Sequence, residues 1–170
     1  MTRYPWQLRV LHWLIALTML GMIFLGWYLS EMDYEHPQYQ MLRQWHRTIG
    51  LALFPLGVAN LVAYCVLPRP AFSASLQGWE KSLARLVHYF LLYVVIAIPV
   101  AGYLMSGDQL VLVGDIHVPA IIVLSKTVRK ALFEVHELLA WSTAVLAALH
   151  AFAALKHHFG DKDDTLKKML

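Results

Sequence analysis

Four apolar runs, each about the length of a membrane span, set the pattern of the chain. Their cores cover residues 10–29, 49–67, 86–105 and 138–155, and a helix needs roughly 17–25 mostly apolar residues to cross a hydrocarbon core. Polar stretches are confined to the ends of the runs and to the connections between them. No alternation of apolar and polar positions is long enough to be useful as a strand, and lipid excludes unpaired strands in any case. The pattern predicts an all-α fold, an integral membrane four-helix bundle forming a single domain over residues 1–170. Pro55 and Gly57 fall inside the second run, and Pro99 and Gly102 near the end of the third. Membrane helices tolerate both residue types because neighbouring groups re-satisfy the freed backbone.

Composition agrees. Of 170 residues, 59% are hydrophobic, which is too apolar for a soluble domain of this size and leaves no room for a separate one. The first run follows Arg3 and Arg9 and lacks a small-residue cleavage site, so a retained helix is expected rather than a signal peptide. The single cysteine, Cys65, excludes internal disulfides and covalent haem attachment through C-x-x-C-H. The net charge of +3 is modest, and no nucleic-acid partner is expected.

The placement of charge says more than its total. Lysine and arginine are more numerous on the side holding the N-terminus, the 68–85 connection and the C-terminal tail, which carries +5. The opposite side carries −2. By the positive-inside rule both termini are expected in the cytoplasm of a multi-pass protein of a bacterial inner membrane. That orientation sorts five histidines by depth. His12, His88 and His150 fall near the cytoplasmic surface, and His46 and His136 near the outer one.

Ionisable groups inside membranes are costly and usually face the bundle interior or a cofactor. His136 and His150 lie fourteen residues apart on one apolar helix. Fourteen residues come within about 40° of whole turns and climb about 21 Å, so one face carries an imidazole near each membrane surface. Each could supply half of a bis-histidine ligation. In the outer layer only His46 reaches the depth of His136 within a helix. In the inner layer His150 has two candidate partners, His12 and His88. The competing explanation is a set of interhelical hydrogen bonds. Zinc fits less well, because neither layer has the cysteine or carboxylate partners of a closed site. His136-Glu137 opens an H-E-x-x sequence, but Ala140 stands where a zinc-protease helix needs its second histidine.

These residues resemble the bacterial cytochrome b561 family, four-helix membrane cytochromes with two b-type haems, over nearly the whole chain. RVLHW resembles the first helix of the family and WHRTIG its H-x-x-x-G motif. LARLVHYFLLYVVIAIPVAGYLMS resembles the third helix, including I-P-x-x-G at residues 98–102. VHELLAW and LHAFAALKHHF resemble the fourth, and HHFGDKDDTLKKM a family ending. No one motif is specific; the ordered set is. The resemblance implies His12 and His150 as iron ligands of a cytoplasmic haem b, and His46 and His136 as those of a periplasmic haem b. It leaves His88 for another role. Family members commonly carry arginines fourteen and eighteen residues after the second-helix ligand, where Asn60 and Tyr64 stand here.

The implied function is electron transfer across the membrane between a periplasmic donor and the ubiquinone pool, an oxidoreductase activity of the respiratory chain. Some members of the family oxidise superoxide. The alternative is a cytochrome b subunit of a larger respiratory or dehydrogenase complex, fed by a protein donor. Arg43, Arg47, Lys126, Arg129 and Lys130 gather near the outer pair and could steer a small anion; topological anchoring and propionate pairing compete as explanations. Near the inner pair, His88, His157 and His158 are candidate contacts for a quinone head group or a propionate, as histidines that can carry protons.

Overall fold

The computed structural model describes residues 3–170. Four long helices form the bundle: α1 (Trp6–Glu31), α2 (Tyr39–Val66), α3 (Gly78–Leu104) and α4 (Lys126–Phe159). All four are long and apolar enough to cross a membrane. Their outward faces carry large apolar side chains such as Leu17, Phe24, Leu138 and Phe152, each more than three-fifths exposed in the protein alone. That is the expected surface of a bundle solvated by lipid, where apolar groups gain nothing by hiding from their surroundings. The interior is thin: Ile15, Met19, Leu53, Val94, Val95 and Ile98 pack as one cluster near mid-span.

Local chemistry fixes where the helices start. Pro5 precedes α1, where its missing N–H costs no intrahelical bond. At α3 the Glu80 carboxylate accepts from the Gln77 backbone N–H at 2.8 Å, one half of a capping box. Ser125 caps α4, its hydroxyl accepting from the Val128 N–H. α1 packs on α2, α2 on α3 and α3 on α4, while α1 and α4 close the ring more loosely.

Helices α2 and α3 approach closely at Gly57 of α2. A Cβ there would come 2.9 Å from Val95 Cγ1 and 3.1 Å from the Val95 carbonyl oxygen of α3. Small residues allow such approach in membranes, where packing rather than water exclusion holds helices together. Gly57→Leu is therefore expected to separate α2 from α3 at an overpacking cost of about 1–3 kcal/mol or more. Thermal unfolding followed by helical circular dichroism in detergent checks this; an unchanged midpoint would contradict it.

The structure departs from the sequence expectation in the connection after α3. A two-stranded hairpin stands where no useful strand is expected: β1 (Gln109–Leu112) pairs antiparallel with β2 (Ile116–Pro119). Each strand has only four residues, too short for a period-two pattern to show. The turn between them puts Gly114 at φ 78° and Asp115 at φ 58°, a left-handed conformation that glycine adopts freely and aspartate tolerates. The hairpin is seated on the bundle. Leu110 and Leu112 are buried. The Val113 N–H donates to Thr48 Oγ1 at 3.0 Å, and Tyr103 Oη donates to the Pro119 carbonyl at 2.7 Å.

The opposite end of the bundle is closed by the C-terminal tail, which ends in a short 3₁₀ turn (Leu166–Lys168). The tail binds both other segments at that end. The Tyr4 N–H donates to the Lys168 carbonyl at 3.0 Å, Trp13 Nε1 to the Met169 carbonyl at 2.9 Å, and Lys168 Nζ to the Ala71 carbonyl at 2.8 Å. Two carboxylates hold its root. Hydrogen bonds from Lys156 at 2.7 Å and His157 at 2.6 Å keep the Asp161 carboxyl below the ordinary carboxylate range. For Asp163, burial pushes the pKa up, but bonds from the Thr165 N–H and Ser75 hydroxyl outweigh it, and the net direction is down. A carboxyl depressed by folding contributes stability above its unfolded value, near pH 4, and loses it as pH falls through the folded value. The tail is thus expected to stay docked at neutral pH and to loosen below about pH 4. Hydrogen-exchange protection factors at the Asp163 and Lys168 amides test this; equal protection at pH 3 and pH 6 would contradict it.

Candidate haem-binding sites in two layers

A spacing of fourteen residues recurs in all four helices: His12 to Gly26, His46 to Asn60, His88 to Gly102 and His136 to His150. Near the hairpin end, contacts bring one member of each pair together. His46 Cε1 lies 3.2 Å from where a Gly26 Cβ would stand, and His136 Cε1 lies 3.2 Å from where a Gly102 Cβ would stand. Near the tail end His12, His88 and His150 form the second layer. The layers are about 21 Å apart along the helices at about 1.5 Å per residue. Gly26 lies outside every motif of the sequence, and Gly102 enters only through I-P-x-x-G, which gives it no place beside a histidine. Their signal was the offset of fourteen from His12 and His88, visible only once the helices are set side by side.

In the hairpin-end layer the His46 and His136 rings have centroids 6.2 Å apart and planes at 64°. In the tail-end layer His12 and His150 repeat that arrangement at 6.3 Å and 66°. His88 is nearer to His150, at 5.1 Å. Two imidazoles bound trans to one metal need centroids about 6.2–6.4 Å apart, given metal–nitrogen bonds of about 2.0–2.1 Å and ring nitrogens about 1.1 Å from the ring centre. The 6.2 and 6.3 Å pairs meet that requirement and the 5.1 Å pair does not. His136 Nδ1 lies 3.0 Å from the Ile98 carbonyl oxygen. Only an N–H can pair with a carbonyl, so this contact makes Nδ1 the donor and leaves the Nε2 lone pair free to bind a metal. His46 Nδ1 is buried without a hydrogen-bond partner.

The hairpin-end pair lines a cavity of about 440 Å³. Its walls combine apolar groups with Arg43, Arg47, Arg129, Tyr34, Tyr103 and Glu137. Apolar walls suit a porphyrin face, and arginines suit carboxylates at its edge. Arg129 reaches over the turn at Gly107, where a Cβ would meet its Nη1 at 2.6 Å, and Gly107 holds φ 96°. Lys130 lies outside the cavity wall, exposed, 3.8 Å from Glu134. Such a surface pair is worth about 0–1 kcal/mol, too little to take the lysine out of solution electrostatics.

At the tail end the candidate contacts separate. His157 is buried, and its Nδ1 is taken by Asp161 at 2.6 Å. His158 packs on Phe159 with centroids 4.7 Å apart, and its buried Nδ1 has no partner. Tyr64 lies under the Arg69 guanidinium at 4.0 Å, so a cation from the following connection reaches the second of the two departure positions.

Comparison with known proteins bears on this arrangement. A model of the prokaryotic cytochrome b561 family matches residues 3–170. The chain is 34% identical over 171 residues to cytochrome b561 homolog 2 of Escherichia coli (strain K12), covering 99% of this chain and 91% of the relative. It is 26% identical to cytochrome b561 homolog 1 of the same organism, over 100% of this chain and 98% of the relative. It is 27% identical to a protein of Yersinia pestis described as probable superoxide oxidase CybB, over 94% of this chain and 91% of the relative. With four membrane-length helices and two metal-spaced histidine pairs, the chain belongs to the prokaryotic cytochrome b561 family of multi-pass membrane haem b proteins that transport electrons.

Proposed function

We propose that the protein binds two haems b and oxidises a small anionic donor on the periplasmic side while ubiquinone is reduced at the cytoplasmic side, superoxide being the donor that best suits the site. The observation that carries this reading is the matched pair of imidazole geometries, 6.2 Å and 6.3 Å, on a helix frame with a fourteen-residue repeat. His46 and His136 would hold the periplasmic haem, and His12 and His150 the cytoplasmic one. Haem b supplies one-electron redox chemistry when bound. The chain's own residues position it, set its surroundings and control what reaches it. Electrons balance if two superoxide anions leave as two dioxygen molecules while one quinone gains two electrons and two protons. His88 and His158 are the candidate groups for the quinone head or a propionate, and the termini would face the cytoplasm as the charge bias requires.

Arg43, Arg47 and Arg129 in the cavity wall support an anionic donor. Opposite charges focused in a low-dielectric cleft raise association rates by about 10–10³, and salt removes the gain. The second-order rate with superoxide is therefore expected to fall as salt rises. Arg129→Glu should slow it by about tenfold or more and Lys130→Glu by less, because only Arg129 lines the cavity. Neither change should remove haem. Stopped-flow mixing with superoxide and with a neutral reductant tests this. A rate indifferent to salt and to both reversals would reject steering and favour a docked protein donor, as in a subunit of a larger complex. The 27% identical relative described as a probable superoxide oxidase adds weight to the first reading.

A further inference from the structure

We infer that the loop between β2 and α4 dips into the lipid head-group zone, making the hairpin a membrane-anchored roof over the hairpin-end cavity. Ile121, Ile122 and Val123 are three consecutive apolar residues at 84%, 57% and 73% exposure. Among the described residues no other part of the chain covers them, and soluble surfaces rarely leave such a run in water. Their height is fixed by Tyr103, whose Oη accepts from the Ile121 N–H at 3.0 Å.

Tyr103 directly follows Gly102, which abuts His136. Two histidine layers about 21 Å apart, centred in a core of about 30 Å, leave about 4–5 Å between each layer and the hydrocarbon boundary. The rise of one residue, a tyrosine side chain and one hydrogen bond together reach about 10 Å, so the Ile121 amide stands at most about 5–6 Å beyond that boundary. The head-group region is about 5–7 Å deep on each side. The three side chains therefore sit where apolar groups of interfacial segments embed. The exposed Lys126 and Lys130 that follow the loop suit lipid phosphates. Leu110 lines the cavity from β1, so anchoring the loop holds that wall in place. None of this depends on what the histidine pairs bind.

The test uses full-length protein in lipid nanodiscs, with Cys65→Ser as background and a nitroxide on Ile122→Cys or, independently, on Val123→Cys. An unchanged haem spectrum shows that each labelled protein is folded. Spin-label collision with oxygen and with a water-soluble nickel chelate reports depth. The label at either position is expected to give an oxygen-to-nickel ratio clearly above that of a label on Glu35→Cys in the α1–α2 connection and below that of Val145→Cys on a mid-span face. A ratio like that of Glu35→Cys would place the loop in water and overturn the inference. Low collision with both reagents would show protein covering the loop and overturn it equally.

Discussion

Replacing His136 by alanine is expected to halve the haem b content of the purified protein and to leave the remaining haem low-spin. His136 stands opposite His46 at 6.2 Å, and no other histidine among the described residues approaches that pair. Its Nδ1 contact with the Ile98 carbonyl holds the ring, and such an outer partner also raises the basicity of the free nitrogen. Removing the imidazole leaves His46 as the one available nitrogen ligand in that layer, and a single imidazole holds haem b more weakly than two. The second layer is about 21 Å away, beyond contact, so its haem should stay. Pyridine haemochrome analysis beside total protein measures the loss. An undiminished ratio would remove His136 from the ligand set, and selective emptying of the other site would invert the two-layer assignment.

The second large effect distinguishes His12 from His88. His12→Ala is expected to lose the tail-end haem, and His88→Ala to keep both haems while shifting a midpoint potential or slowing quinone reduction. The reason is distance: His12 lies 6.3 Å from His150, as two imidazoles on opposite sides of one metal would need, whereas His88 at 5.1 Å is too close for that opposed arrangement. His88 occupies the position that Gly102 holds fourteen residues away in the other layer, beside the α4 histidine rather than across from it. A redox titration followed optically reads both outcomes. Retention of both haems in His12→Ala with loss of one in His88→Ala would reverse the pairing.

The four spans and the grouping of five histidines into two layers were legible in the sequence because lipid imposes a length on helices and a penalty on polar groups, and both leave marks in composition. The partner of His150 was not legible from depth alone. Depth is a one-dimensional coordinate, and choosing between His12 and His88 requires the angular packing of three helices. The hairpin escaped because strands of four residues show no period, although the Gly114-Asp115 pair between Leu112 and Ile116 is a turn signal. The tail escaped for a different reason. The family-like ending that contains Asp161, Asp163 and Thr165 names no partners for them, and their value lies in hydrogen bonds to His157, Ser75 and the local backbone that only the fold brings within reach.

The measurement closest to the central claim is the stoichiometry of the unmodified protein: haem b per chain by pyridine haemochrome, combined with the low-temperature electron paramagnetic resonance of the oxidised form. Two matched imidazole pairs predict a ratio of two, with low-spin signals only. A ratio near one, near zero, or a stoichiometric high-spin signal would contradict it.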